Sequence, residues 1–233
     1  MTAVDDRRRR SAAHVVVDDL DRPHVDDETY HRLARVLRLR SGDALTLTDG
    51  KGGWCSARWN GGTTPDVETG VIAVPRPLPL LAVAFTPTKG DRPEWVVQKL
   101  TELGIDRIVP VLTDRSVVRW DGERARRQVE RWQRIAREAL SQSRGVFLPS
   151  VEPVTQLAAL SAAEPVRLAE PGGDAPSADG VVVVVGPEGG FSSDELTLTP
   201  GRVGLPGGVL RAETAAIVAG ALLAMDRGRG AWP

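Results

Sequence analysis

Five consecutive valines, Val181–Val185, run into Gly186-Pro187-Glu188-Gly189-Gly190-Phe191, and a second glycine-rich turn, Leu205-Pro206-Gly207-Gly208, leads into Val209-Leu210-Arg211-Ala212-Glu213-Thr214-Ala215. Each time a buried strand stops at backbone that carries almost no side chain. In an α/β protein such strand ends hold ligands, because bare backbone can approach them closely. A tight structural turn accounts equally well for either glycine segment alone, whereas the pair points to a cofactor site. Neither segment has the G-x-G-x-x-G spacing of a dinucleotide fold, and both lie near the C-terminal end.

The rest of the chain sets the frame for that site. At 233 residues, 41% hydrophobic and 26% charged, it has apolar mass for one large or two modest domains. Cys55 is the single cysteine, which excludes an internal disulfide. The Arg-rich start has no apolar segment behind it, and no run approaches membrane-spanning length, so a soluble cytoplasmic protein is expected. His14, His24 and His31 lack zinc-ligand spacing, and no metal is expected. The net charge of -1 hides clustering: of 30 cationic residues three are lysines (Lys51, Lys89, Lys99), leaving 27 arginines. They gather at Arg7–Arg10, at Arg32, Arg35, Arg38 and Arg40, and along 124–137. Acidic Asp121, Glu123, Glu130 and Glu138 among the last group make it a solvated helix face. Arg32, Arg35 and Arg38 have few acidic neighbours and are candidate RNA contacts. Arg7–Arg10 reads as a flexible arm or tail.

Between residues 14 and 74 short apolar runs, Val15–Val17, Ala44–Thr48, Trp54–Trp59 and Val71–Val74, alternate with turn segments Ser41-Gly42-Asp43, Asp49–Gly53 and Asn60-Gly61-Gly62. That pattern predicts a small β-barrel. Trp54 and Trp59 are expected in its core rather than as base-stacking rings. One amphipathic helix, about Asp26 to Leu37, should place Leu33, Val36 and Leu37 on one face. Pro75-Arg76-Pro77-Leu78-Pro79 is an extended connector and the domain boundary, giving domains 1–75 and 76–233. Beyond it strands alternate with helices, which implies a parallel sheet covered on both faces. Strands are expected at Leu80–Phe85 and through Ile108, Val109 and Val111. Helices are expected from Asp91 (a capping-box arrangement with Glu94), over Gly122–Ser143, after Ser192, and over Glu213–Met225. Residues 161–180, rich in Ala, Pro, Gly and Ser, read as a surface loop without chemistry.

Several motifs, in order, resemble one family. Lys89-Gly90-Asp91-Arg92, Gln98–Gly104, Thr113–Val117, Arg131-Trp132, Gly186–Ser192 and Leu210–Ala215 look like the RsmE family of SPOUT-class methyltransferases. Tyr30–Arg38 followed by Gly42-Asp43 is similar to that family's PUA-like RNA-binding domain. Paired histidines of that family are replaced here by His31-Arg32, Glu138–Gly145 matches only partly, which leaves Arg144 without an assigned role, and the second loop is more glycine-rich. The resemblance implies S-adenosylmethionine-dependent methylation of N3 of one uridine in 16S ribosomal RNA of the small subunit. It implies a trefoil-knotted C-terminal domain after a PUA-like β-barrel, a homodimer, and no metal. Cofactor-binding residues would be Gly186, Pro187, Glu188, Gly189, Gly190, Leu205, Pro206, Gly207, Leu210 and Thr214.

The chemistry of that reaction sorts the remaining candidates. A neutral uracil N3 is a poor nucleophile, so the site must accept its proton or stabilise charge on O2 and O4. Arg211 suits the second task, and Glu213 or Glu188 suits the first or orients the cofactor. Arg32, Arg35, Arg38, Lys89 and Arg92 are the RNA-binding candidates. A binding protein that keeps the fold without catalysis is the other reading, which the two glycine loops disfavour. An oxidoreductase on a dinucleotide fold is disfavoured by the loop spacing.

Overall fold

The computed structural model describes residues 3–120 and 122–228. Asp121 of the acidic set, and the outermost residues of both expected domains, lie outside them. The chain divides into two compact units, residues 1–76 with 137–148 and residues 77–136 with 149–233.

In the first unit, helix α1 (Ala3–Arg10) precedes strand β1 (Ala13–Val16), which pairs in parallel with β2 (Ala44–Thr48). β2 turns back through Asp49, whose carboxylate accepts from the Lys51 and Gly53 amides (2.7 and 3.0 Å), into antiparallel β3 (Gly53–Arg58). The short strands β4 (Asp66–Val67) and β5 (Ile72–Ala73) both pair with β3. Val15, Leu33, Leu45, Leu47, Cys55 and Trp59 form the core. Trp54 is fully buried too, so both indoles are structural as their strand setting suggests.

The helix that follows β1 differs from its expected form. α2 (Asp27–His31), capped by Asp26 accepting from the Thr29 amide at 2.7 Å, passes into a π-turn over Arg32–Val36. Its bonds close over five residues rather than four, as in Leu37 N–H to the Arg32 carbonyl at 2.8 Å. The wider turn breaks the 3.6-residue register: Leu33 is buried, but Val36 and Leu37 are 66% and 46% exposed, not on its face.

Arg7–Arg10 is helical rather than a free arm. The Arg8 guanidinium lies 5.4 Å from the Trp54 ring centroid. Arg144 donates to the carbonyls of Arg8 and Ser11 and, at 2.6 Å, to the Ser11 hydroxyl. It therefore secures the end of α1. Beside it His14 is buried, with Nε2 2.8 Å from the Gly145 carbonyl and Nδ1 2.8 Å from the Thr46 hydroxyl. A carbonyl only accepts, so Nε2 carries the hydrogen and Nδ1 accepts from Thr46.

The second unit alternates as expected. In chain order it contains β6 (Ala82–Phe85), α3 (Arg92–Glu102), β7 (Arg107–Leu112), α4 (Gly122–Ser143), β8 (Ser150–Val151), β9 (Thr155–Gln156), α5 (Leu157–Ala163), β10 (Val166–Asp174), β11 (Val182–Val185), α6 (Ser193–Leu198), β12 (Arg202–Val203) and α7 (Ala212–Gly228). α4 runs on into the segment 137–148 that belongs to the first unit. The sheet order is β12-β10-β11-β6-β7-β8, with β9 also on β7, and every pair is parallel. Parallel neighbours need crossovers, and these put helices on the sheet faces. Ala82, Ala84, Val182 and Val184 pack with Leu157, Leu160 and Phe191 on one face, and α7 lies on β6 and β11. α7 also meets α3, where a Cβ on Gly220 would fall 2.5 Å from buried Leu100.

Two expectations fail here. Residues 166–174 are a strand of the sheet, not a surface loop, because Gly173 and Gly204 let two backbones meet: a Cβ on Gly204 would lie 2.5 Å from the Gly173 carbonyl oxygen. The Asp91–Glu94 capping box does not form. Asp91 makes no side-chain cap, and Glu94 instead pairs with Arg131 at 2.7 Å.

Burial, with the positive charges of Arg8 and Arg144 adding to it, pushes the His14 pKa from 6.5 down to about 4. The unfolded chain then binds the proton first, so this stability is present above pH 6.5 and is lost as pH falls towards 4. The expected loss approaches about 3 kcal/mol. Urea unfolding from pH 7 to pH 4 should show a steeper decline for wild type than for His14→Gln, and parallel declines would rule this out.

Candidate active site

The carboxyl ends of β6, β7, β10, β11 and β12 deliver their loops to one edge of the sheet, the edge where open α/β sheets bind ligands. The loop after β11 is the most tightly built. Ser192 caps α6, accepting from the Glu195 amide at 3.2 Å while the Glu195 carboxylate accepts from the Ser192 amide at 2.8 Å. The other Glu195 oxygen accepts from the Asp114 amide at 2.9 Å. The Ser192 hydroxyl donates to the Asp114 carboxylate at 2.5 Å, and Arg115 donates to the Gly189 carbonyl at 2.7 Å. Buried Glu195 thus satisfies both oxygens by joining the loop after β11 to the loop after β7.

The glycines of this loop have different reasons. A Cβ on Gly186 would lie 2.9 Å from the Phe191 ring, so that glycine makes room for a buried aromatic. Gly190 has φ +68° and closes a turn onto the Pro187 carbonyl at 2.9 Å, a conformation that disfavours other residues.

The loops after β11 and β12 close on one cavity of about 490 Å³. Gly186, Pro187, Glu188, Gly190, Leu205, Gly207 and Leu210 line it, so both glycine segments meet as expected. Gly189, Pro206 and Thr214 do not. The Gly189 carbonyl is engaged by Arg115, Pro206 is exposed, and Thr214 is half-buried. Ala169, Glu170 and Pro171 at the end of β10 also line the cavity, as do Phe191, Ala212 and Ala215. Sequence reading missed the β10 residues because their composition looks like a turn, although the Val166-Arg167-Leu168 alternation before them carried a strand signal.

Arg211 is exposed between lining residues Leu210 and Ala212, and its carbonyl accepts from the Ala215 amide at 2.8 Å in the first turn of α7. Glu213 is buried in the same turn, where the helix dipole favours a negative charge. One Glu213 oxygen is 3.5 Å from Arg92 Nε, and Arg92 Nη1 is 3.5 Å from the Glu188 carboxylate. The other Glu213 oxygen is buried with no partner in the protein. A buried acceptor without a donor costs about 1–3 kcal/mol, so this oxygen suits a cationic or N–H group brought by a ligand. Lys89 is exposed after β6, while Arg32, Arg35 and Arg38 belong to the other unit. Among the described residues no group of acidic, histidine and cysteine side chains is placed to hold a metal ion, and no helix is long and apolar enough to cross a membrane.

Residues 75–224 match the RNA methyltransferase domain family, and residues 25–58 match the RNA methyltransferase PUA domain family. The ribosomal RNA small subunit methyltransferase E of Synechocystis sp. is 34% identical over 214 residues, 81% of this chain and 68% of that protein. Its counterpart from Mycobacterium tuberculosis is 33% identical over 215 residues, 83% and 82% of the two chains. Among solved structures, the ribosomal RNA small subunit methyltransferase E of Neisseria gonorrhoeae bound to S-adenosyl methionine superposes with a TM-score of 0.77 at 30% identity, over 91% of this chain and 96% of that one. A Legionella pneumophila methyltransferase in complex with S-adenosyl methionine gives 0.78 at 27% identity, also over 91% and 96%.

Glu195→Ala should cost about 1–3 kcal/mol, since it removes the acceptors of two part-buried amides. Hydrogen exchange should report faster opening of 113–116 and 186–192 than of β11; protection equal to wild type in both loops would contradict the latch.

Proposed function

This chain belongs to the ribosomal RNA small subunit methyltransferase E family, and from that premise we propose that it transfers the methyl group of S-adenosylmethionine to N3 of one uridine in 16S ribosomal RNA of the small subunit. The observation that carries the proposal is the convergence of two glycine-rich strand ends on one cavity, whose lining residue Ala212 adjoins Glu213 and its unpartnered buried carboxylate oxygen.

The residues present fit the methyl donor. A cavity of about 490 Å³ lies within the roughly 300–1,000 Å³ of small-molecule sites. Val185, Phe191, Leu205 and Leu210 give it apolar walls for a purine, and the backbone of 186–190 offers polar groups at close range. Glu170 and Glu188 line the cavity and supply negative charge for a cationic ligand. When bound, S-adenosylmethionine brings a methyl already activated on its sulfonium, so no metal is required.

The protein's own part is positioning and charge. Gly186, Pro187, Glu188, Gly189, Gly190, Leu205, Pro206, Gly207, Leu210 and Thr214 form the cofactor-binding set, with Gly189, Pro206 and Thr214 outside the lining itself. Arg92 ties Glu188 to Glu213 and keeps the two carboxylates facing one guanidinium. Arg211, exposed and preceding α7, turns its guanidinium to uracil O2 and O4 and stabilises the charge that spreads there as N3 loses its proton. Glu213 accepts that proton or holds the cofactor's cation. Arg32, Arg35, Arg38 and Lys89 contact the RNA, with the 1–75 domain as its holder and 76–233 as the knotted catalytic domain. The homodimer and the cytoplasmic location belong to the same proposal and rest on the family alone. A protein that only bound RNA would have no use for two converging cofactor loops.

Wild type should bind S-adenosylmethionine in a calorimetric titration, and Gly190→Val should weaken that binding at least about tenfold by straining the loop. Arg211→Ala should bind the cofactor normally yet transfer methyl to small-subunit ribosomal RNA roughly 10²- to 10³-fold more slowly, the usual effect of losing one charge-stabilising donor. Wild-type turnover by Arg211→Ala would remove that residue from the mechanism, and failure of wild type to bind the cofactor would contradict the whole reading.

A further inference from the structure

A second cavity, of about 400 Å³, lies between the loop after β6, the segment after β7 and the first turns of α4. Of the residues given functional roles above, Lys89 alone lines it. Two indoles wall it, Trp120 half-buried and Trp132 fully buried, their ring centroids 5.7 Å apart at 51°. Phe85 packs edge-on against Trp132 at 5.9 Å and fixes the inner ring. The indole N–H of Trp132 is buried and has no acceptor in the protein. Trp54 in the first unit also has a buried indole N–H without a partner, so the orphaned donor gains meaning here only because Trp132 lines a cavity that a ligand acceptor could enter.

The charges around the cavity narrow the ligand class. Lys89 and Arg119 are exposed on its rim, and Arg124 lines it as well. Glu94 is the one carboxylate among the described lining residues, and Arg131 already neutralises it at 2.7 Å. Cations outside, aromatic faces within and a single unmet donor suit a phosphate, a planar base and a base carbonyl, respectively. A purely apolar ligand would leave the N–H unmet, and an anion without a ring would leave the indoles uncovered.

The cavity also adjoins the reaction site. A narrow cleft containing Arg92 and Glu213 shares Thr88 and Pro93 with this cavity and Ala212 with the glycine-loop cavity. We propose that the Trp120–Trp132 cavity receives an unstacked nucleotide of the ribosomal RNA substrate, a neighbour of the uridine that is methylated. This rests on the function proposed above. Its base stacks on Trp120, its carbonyl accepts from Trp132 Nε1, and its phosphate lies by Lys89 and Arg119.

The test compares wild type, Trp120→Ala, Trp120→Phe and the double variant Lys89→Ala/Arg119→Ala, using small-subunit ribosomal RNA in filter binding and methyl transfer. Trp120→Ala should raise the Kd and KM for RNA roughly 5- to 150-fold, the span for losing one stacked base, and leave the S-adenosylmethionine Kd unchanged. Trp120→Phe should restore RNA binding to within a few fold of wild type. The double variant, confined to exposed side chains, should weaken RNA binding with a shallower salt dependence even if Trp120→Ala fails to fold. Wild-type RNA affinity and KM in Trp120→Ala or, should that variant not fold, in the double variant would overturn the subsite while leaving the methyltransferase reading intact. A wild-type protein that neither binds the cofactor nor methylates the RNA would instead overturn the reading beneath it. Uridine monophosphate that binds tightly to wild type but not to Trp120→Ala, with RNA affinity equal in both, would assign the cavity to a free nucleotide and overturn the proposal.

Discussion

β11 consists of four valines buried on both faces, so neither side of it can meet water. A strand of that kind must lie between neighbours and beneath helices, and here its neighbours β10 and β6 are both parallel to it. Parallel connections return each chain segment to the same starting edge, which leaves the opposite edge to loops alone. The cavity, the Glu195 latch and the Arg92–Glu188–Glu213 cluster all stand on that edge. They follow from desolvation of the central strand more than from any local preference of the loops. The loops themselves have few apolar anchors, which is why a buried carboxylate bridging two of them matters.

Electrostatics then divides the edge into regions. Glu188 and Glu213 face one guanidinium, that of Arg92, and leave one buried oxygen of Glu213 unmatched. Arg211 stands exposed in the chain next to this acidic region. Beyond the shared cleft the balance reverses, with Lys89 and Arg119 exposed around two indoles. An acidic pocket for a cationic methyl donor beside a basic, aromatic pocket for a polyanion is the charge pattern that a transfer between those two partners needs.

Much of this was legible in the sequence because it depends on short-range rules. The valine run, the Ser192 cap, the apolar face of the helix carrying Trp132 and the paired glycine segments each announce themselves within a few residues. What escaped depends on distant partners. Val166–Asp174 reads as a loop until Gly204 is known to lie against Gly173. The π-turn at Arg32–Val36 is invisible to a 3.6-residue period, and Glu94 looked like a capping residue until Arg131 was placed beside it. Arg144 reaches the end of α1 across most of the first unit's sequence, a contact with no local signature. Gly186 lines the cavity, and its missing Cβ also makes room for Phe191, a contact with no signal in the glycine pattern.

The most direct test of the central claim is the chemical identity of the product. Small-subunit ribosomal RNA lacking the modification would be incubated with the protein and S-adenosylmethionine carrying a labelled methyl, digested to nucleosides, and separated by chromatography with mass detection. The account requires the label in N3-methyluridine at a single position. Label in a ribose methyl or a different base, or no label in RNA despite bound cofactor, would contradict it.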